Sequence, residues 1–96
     1  MLRKVYTIHD SAARCFTPPF CCLAHGEAIR AFSDAANSKS HYVGQHPADY
    51  TLMHVATFDD SSGQIMLLHA FENLGNALQF VRGPETAGSQ LDLAQE

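Results

Sequence analysis

Between Thr51 and Ala70 the chain carries the pattern of a β-hairpin, and no other segment narrows the fold as much. Thr51 to Phe58 is rich in β-branched and aromatic residues. Asp59-Asp60-Ser61-Ser62-Gly63 supplies the turn, and Gln64 to Ala70 reads as the returning strand. Lys4 to His9 has the same strand composition and is followed by Asp10-Ser11; Arg14 to Thr17 then reads as a short second strand stopped by Pro18-Pro19. From about Gly26 the pattern turns helical: Ala28, Ile29, Phe32, Ala35 and Ala36 share one face, and Asn37-Ser38 end it. Ser38 to Asp49 reads as a polar loop. Leu74, Ala77, Leu78 and Val81 again have helix spacing, with Asn73 as N-cap and Gly83-Pro84 as a stop.

The two halves align. Val5, Ile8, Asp10 and Ser11 match Val55, Phe58, Asp60 and Ser61 at an offset of fifty; Gly26, Ala28 and Ile29 match Gly75, Ala77 and Leu78 at forty-nine. With 96 residues there is room for one core. The expectation is a single α+β domain over residues 1–82, an antiparallel sheet of about four strands with two helices on one face. A ββαββα internal repeat would organise it, and residues 83–96 would form a flexible tail.

That architecture leaves one sheet face uncovered. In a regular strand, Leu52, His54, Ala56 and Phe58 share one side, and Met53, Val55 and Thr57 the other. Helices cover one side, so the other calls for a partner. In a domain this small a second copy is the natural one, which makes Met53, Val55 and Thr57 the expected interface of a homo-oligomer.

Composition removes several function classes. Hydrophobic residues are 46% of the chain and charged residues 17%, a globular balance. No stretch approaches the ~20 apolar residues of a membrane helix, and the start lacks a signal peptide's apolar core, so a soluble cytoplasmic protein is expected. Six Lys/Arg against ten Asp/Glu give a charge of −4, which argues against broad coating of nucleic acid. The three cysteines are odd in number and two are adjacent, so a reducing compartment fits better than a disulfide framework.

Cys15, Cys21, Cys22 and His25 lie within eleven residues, but C-x5-C-C-x2-H is not a zinc spacing. Buried structural thiols are expected, with no metal. Cys21 or Cys22 as a nucleophile has no Cys–His–acid signature behind it. His9, His54 and His69 fall on strands and His41 and His46 on a loop, with no H-x-H or H-x-x-x-H pair. These are expected at the surface or at an interface, contributing pH dependence to assembly. Asp59-Asp60 reads as a solvated turn, and no phosphate loop, nucleophile elbow or nucleotide fingerprint is present. No catalytic residue and no cofactor is expected.

One constellation points to a ligand. Arg3, Lys4 and Arg14 fall on the first hairpin beside Tyr6 and Phe16; cations that meet phosphates and rings that stack on bases make a single-strand binding surface. The plain alternative is a solvated hairpin with its aromatics in the core. Arg30 is either a further phosphate contact or the partner of Asp34 at i, i+4.

Several phrases together resemble a family. They are Pro19-Phe20, Ala28-Ile29-Arg30-Ala31-Phe32-Ser33-Asp34, His46-Pro47-Ala48-Asp49-Tyr50-Thr51-Leu52 and Phe58-Asp59-Asp60-Ser61-Ser62-Gly63-Gln64. The Val5 to Asp10 strand and Leu74-Gly75-Asn76-Ala77-Leu78 fit as well. The chain resembles the small non-structural protein of gokushoviruses, single-stranded-DNA bacteriophages of the Microviridae, over roughly residues 4 to 82. The resemblance implies DNA binding, or participation in single-stranded genome synthesis, outside the capsid and in the cytoplasm of the bacterial host. It assigns no catalytic residues. The acidic balance and Cys21-Cys22, where the family more often has aromatic or aliphatic residues, depart from that pattern. The cysteine pair bears on packing more than on function, whereas the acidic balance favours a second reading, a module that binds a phage or host replication or assembly protein without touching DNA.

Overall fold

β1 (Leu2–Asp10) is the spine of the molecule in the computed structural model, which describes residues 1–82. Four further strands complete one antiparallel sheet, three of them paired directly with β1. β2 (Cys15–Phe16) and β3 (Phe20–Cys22) pair with opposite ends of one edge of β1, and β4 (Tyr50–Asp59) pairs along the other edge. β5 (Ile65–Asn76) pairs with β4 and ends the sheet. α1 (His25–Ala36) and the single turn α2 (Tyr42–Gln45) complete the α+β fold, with 3-10 turns at Pro47–Asp49 and Ala77–Phe80. The tail expected over 83–96 lies outside the described residues.

The main core lies between α1 and the sheet. Ala28, Phe32 and Ala36 on one helix face meet Tyr6, Ile8 and Leu52 from the central strands; Val43 of α2 and Ala77 close the ends. Helical periodicity was a sound guide here because the buried positions fall at i, i+4, i+8. α2 sits where a loop was expected. His41 caps it through Nδ1, which accepts from the Val43 N–H, and Gly44 is packed so closely that a Cβ would run into the backbone carbonyl of Ser38.

A bulge in β4 changes the faces of the sheet. Val5 pairs with Ala56 and Tyr6 with His54, so Val55 is the extra residue. On β5, Glu72 pairs with His54 and Leu67 with Ala56, leaving Leu68 to Phe71 opposite Val55 alone. Leu52 and His54 therefore face the helix side, while Val55, Ala56 and Phe58 join Met53 and Val5 in a second cluster on the far side. Thr57 pairs with Lys4, on the helix side by alternation with Tyr6. The expected set of Met53, Val55 and Thr57 thus does not form one surface. Val55 is 7% exposed within a single chain.

The second helix of the fold is α2, before β4, and no α-helix forms over Leu74 to Val81, where the apolar spacing placed it. That segment divides between the end of β5 and one 3-10 turn. Gly75 takes φ 132, outside the helical region, and pairs with Leu52 as strand. Asn76 then caps Ala77–Phe80, its side chain accepting from the Leu78 N–H. Asn37, at the end of α1, donates to the Phe80 carbonyl and accepts from the Arg82 N–H, tying this turn to the helix. The halves share strand–turn–strand but not the helix, so the ββαββα order does not hold.

Candidate functional site

The five residues expected to hold a nucleic acid do not converge. Tyr6 is fully buried, stacked on Phe20 at 5.6 Å between ring centroids, so its ring has no free face for a base. Its hydroxyl meets His25 Nδ1 at 2.8 Å, and burial pushes its pKa up to about 12, so it stays protonated. Arg3 alternates onto the far face, where its Nε donates to Asp60 at 3.0 Å. The N-terminal ammonium and the Arg3 guanidinium hold Asp60 below the usual carboxylate range. Lys4 lies on the helix side of the sheet. Arg30 is on the outer surface of α1, and its i, i+4 ion pair with Asp34 does not form. Arg14 stands on the turn between β1 and β2 at φ 58, within the four residues that Asp10 organises by accepting from the Ala12 and Ala13 N–H groups.

What does converge on the far face is aromatic. His9 and Phe16 are register partners, with ring centroids 4.7 Å apart. Phe71, in the β5 bulge, meets Phe16 edge to face at 6.4 Å. Phe16 and Phe71 are each about half exposed, at 48% and 47%. β2 and β5 are at opposite edges, so the bulge carries Phe71 across the far face to reach Phe16. Sequence reasoning found Phe16 from its strand context; Phe71 was hidden because a multi-residue bulge leaves no periodic trace.

A second constellation lies on the helix side. His25 opens α1, His54 is central in β4, and Glu72 on β5 is the register partner of His54. Glu72 Oε1 is 2.5 Å from His54 Nδ1 and 3.3 Å from His25 Nε2, and the two imidazole centroids are 4.8 Å apart. His54 is buried, and its Nε2 has no hydrogen-bond partner. A bare ring nitrogen is cheaper to bury than an orphaned N–H, so the ring proton belongs on Nδ1, donating to Glu72. That hydrogen bond is the main reason the Glu72 carboxyl is held below its ordinary range. These residues, 18 and 29 positions apart, leave no sequence motif.

No cysteine sulfur among the described residues joins this cluster of ligand atoms. Cys15 and Cys21 are exposed and Cys22 is half-buried, which corrects the expectation of buried thiols. Burial pushes the Cys22 thiol up, away from nucleophilic character.

Fold and site define a small α+β domain whose sheet is covered by helices on one side and carries aromatics on the other. The chain belongs to the phage ORF5 protein family: the family described as Phage ORF5 protein matches residues 3–80, from the start of β1 to the last 3-10 turn. No curated protein and no solved structure matches it. No helix among the described residues is long and apolar enough to cross a membrane.

Proposed function

We propose that this chain is a non-enzymatic, non-structural protein of a gokushovirus, in the Microviridae. It works in the host cytoplasm as a homo-oligomer that contacts single-stranded DNA during genome replication or packaging. The observation that carries the DNA contact is the exposed pair Phe16 and Phe71 with His9, on the sheet face that the helices leave open. Rings on a strand platform accept bases of any sequence, and Arg14 at the neighbouring turn supplies charge for a phosphate. Tyr6 has no part in this reading.

Charge is compatible with such contact. Glu85, Asp92 and Glu96 lie beyond residue 82, so residues 1–82 carry six Lys/Arg against seven Asp/Glu and are close to neutral. Binding is therefore expected to be modest and to rest on stacking as much as on charge.

The test is fluorescence anisotropy of a labelled single-stranded oligonucleotide at two salt concentrations. A log–log salt slope of about −2 to −3 corresponds to roughly three or four phosphate contacts on a single strand. Phe16→Ala/Phe71→Ala is expected to weaken binding by about 10-fold or more, since base–aromatic stacking is worth about 1–3 kcal/mol per base. Arg14→Ala should flatten the slope. Unchanged affinity in the double variant, or no binding by the wild type at low salt, removes the DNA reading. The second reading, a module for a phage or host replication or assembly protein, would then stand. It is favoured by one feature of its own, the open apolar edge of β5.

A further inference from the structure

We propose that His25, His54 and Glu72 form a binding site for a borderline divalent cation of the zinc type. Three different elements bring them together. One ligand atom from each lies within 4.8 Å of the others, and among the described residues no other group of His, Cys, Asp and Glu does this. The inference is independent of the DNA reading.

Two imidazoles and one carboxylate are a donor set for zinc and its neighbours, whereas calcium and magnesium call for oxygen cages. Zinc is held at about 2.0–2.2 Å from nitrogen and oxygen, which places tetrahedral ligands about 3.3 Å from one another. His25 Nε2 and Glu72 Oε1 already stand at 3.3 Å. The tighter contact between His54 and Glu72 has to open, and Glu72 can supply that movement because its side chain is 54% exposed on an edge strand. The same exposed corner gives water access to a fourth position. The contacts of the two rings with Glu72 and a bound cation use the same atoms, so the two states exclude each other.

The surroundings help one ligand and hinder another. Tyr6 meets His25 Nδ1 at 2.8 Å and, from its fixed place in the core, aims Nε2 at the site. When Nε2 binds a cation, Nδ1–H donates to the Tyr6 oxygen, the arrangement that holds metal-bound histidines in one tautomer. His54 lacks such support. Coordination through Nδ1 moves its proton to Nε2, which is buried without a partner. An affinity of micromolar order is therefore expected, below that of closed structural zinc sites.

The test uses the full chain without a histidine tag, stripped with chelator and titrated with zinc by calorimetry. Cobalt, followed by visible absorption, reports the ligand type. The expected result is one ion per chain and cobalt d–d bands without a thiolate charge-transfer band. Cys15→Ser/Cys21→Ser/Cys22→Ser should bind equally well. Glu72→Gln, at an exposed position, should retain the circular dichroism of the wild type and bind at least tenfold more weakly. His25→Ala is the second variant, and Tyr6→Phe should weaken binding while leaving stoichiometry intact. The proposal is overturned by no saturable binding up to about 1 mM zinc, which is only ~4 kcal/mol of affinity. A cobalt spectrum with thiolate bands also overturns it, as does unchanged affinity in both Glu72→Gln and His25→Ala.

Discussion

The hydroxyl of Tyr6 is the one polar atom its side chain takes into the core, and His25 Nδ1 meets it at 2.8 Å. The ring does the larger part of the work: it lies against Phe20, His25 and His54 with centroids 5.3 to 5.7 Å away. The two contributions separate by mutation. Tyr6→Phe keeps the packing and leaves His25 without its partner, at an expected cost of about 0.5–1.5 kcal/mol. Tyr6→Ala removes the ring from a fully buried position and should cost about 3–5 kcal/mol, on the scale of other buried aromatics. Urea unfolding in chelator, with the slope checked for constancy, measures both. Equal losses in the two variants would mean that the hydroxyl rather than the ring holds this corner. From sequence alone, Tyr6 beside Lys4 looks like a stacking residue. Alternation along β1 puts it on the helix side instead, and which side α1 covers is a tertiary fact.

At the scale of the element, the segment from Asn73 to Phe80 shows where local pattern stops being informative. Its apolar spacing fits a helix, but Gly75 pairs with Leu52 at φ 132, a conformation that other residues rarely adopt. A Cβ there would meet Gln79 Oε1 at 2.8 Å and the Phe80 ring at 3.0 Å. Gly75→Ala is therefore expected to destabilise by about 1–3 kcal/mol through backbone strain. In a domain of this size each kcal/mol lowers Tm by about 4–8 °C, which a thermal melt resolves easily. A Tm within a degree of wild type would show that the turn after β5 relaxes freely. By contrast, α1, the hairpin around Asp59 to Gly63 and β1 were legible because their signals are local: periodicity, turn chemistry and β-branched runs. The Val55 bulge, the fold-over of Phe71 and the meeting of His25 with Glu72 depend on pairing between distant strands. No window of sequence contains that pairing.

For the whole molecule the decisive feature is its asymmetry of edges. On one side, β2 and β3 are two and three residues long and are separated by a segment containing Pro18-Pro19, so no long ladder can be added there. On the other side β5 runs twelve residues, and no strand among the described residues pairs with its outer edge. Ile65, Met66 and Leu67 are exposed at 66%, 44% and 74%, on both faces of that strand. Nothing from Gln64 to Phe71 carries a fixed charge, so a second β5 can lie antiparallel to the first without like-charge repulsion. We propose this edge, in place of Met53, Val55 and Thr57, as the surface where a second copy would pair. Leu67→Lys places a charge on the most exposed of these side chains and should leave Tm nearly unchanged while reducing the mass seen by light scattering to that of one chain. If the variant stays associated at wild-type mass, the edge is not the interface. If the wild type itself scatters as a monomer at high concentration, the homo-oligomer is wrong, and β5 is left open for a partner of another kind.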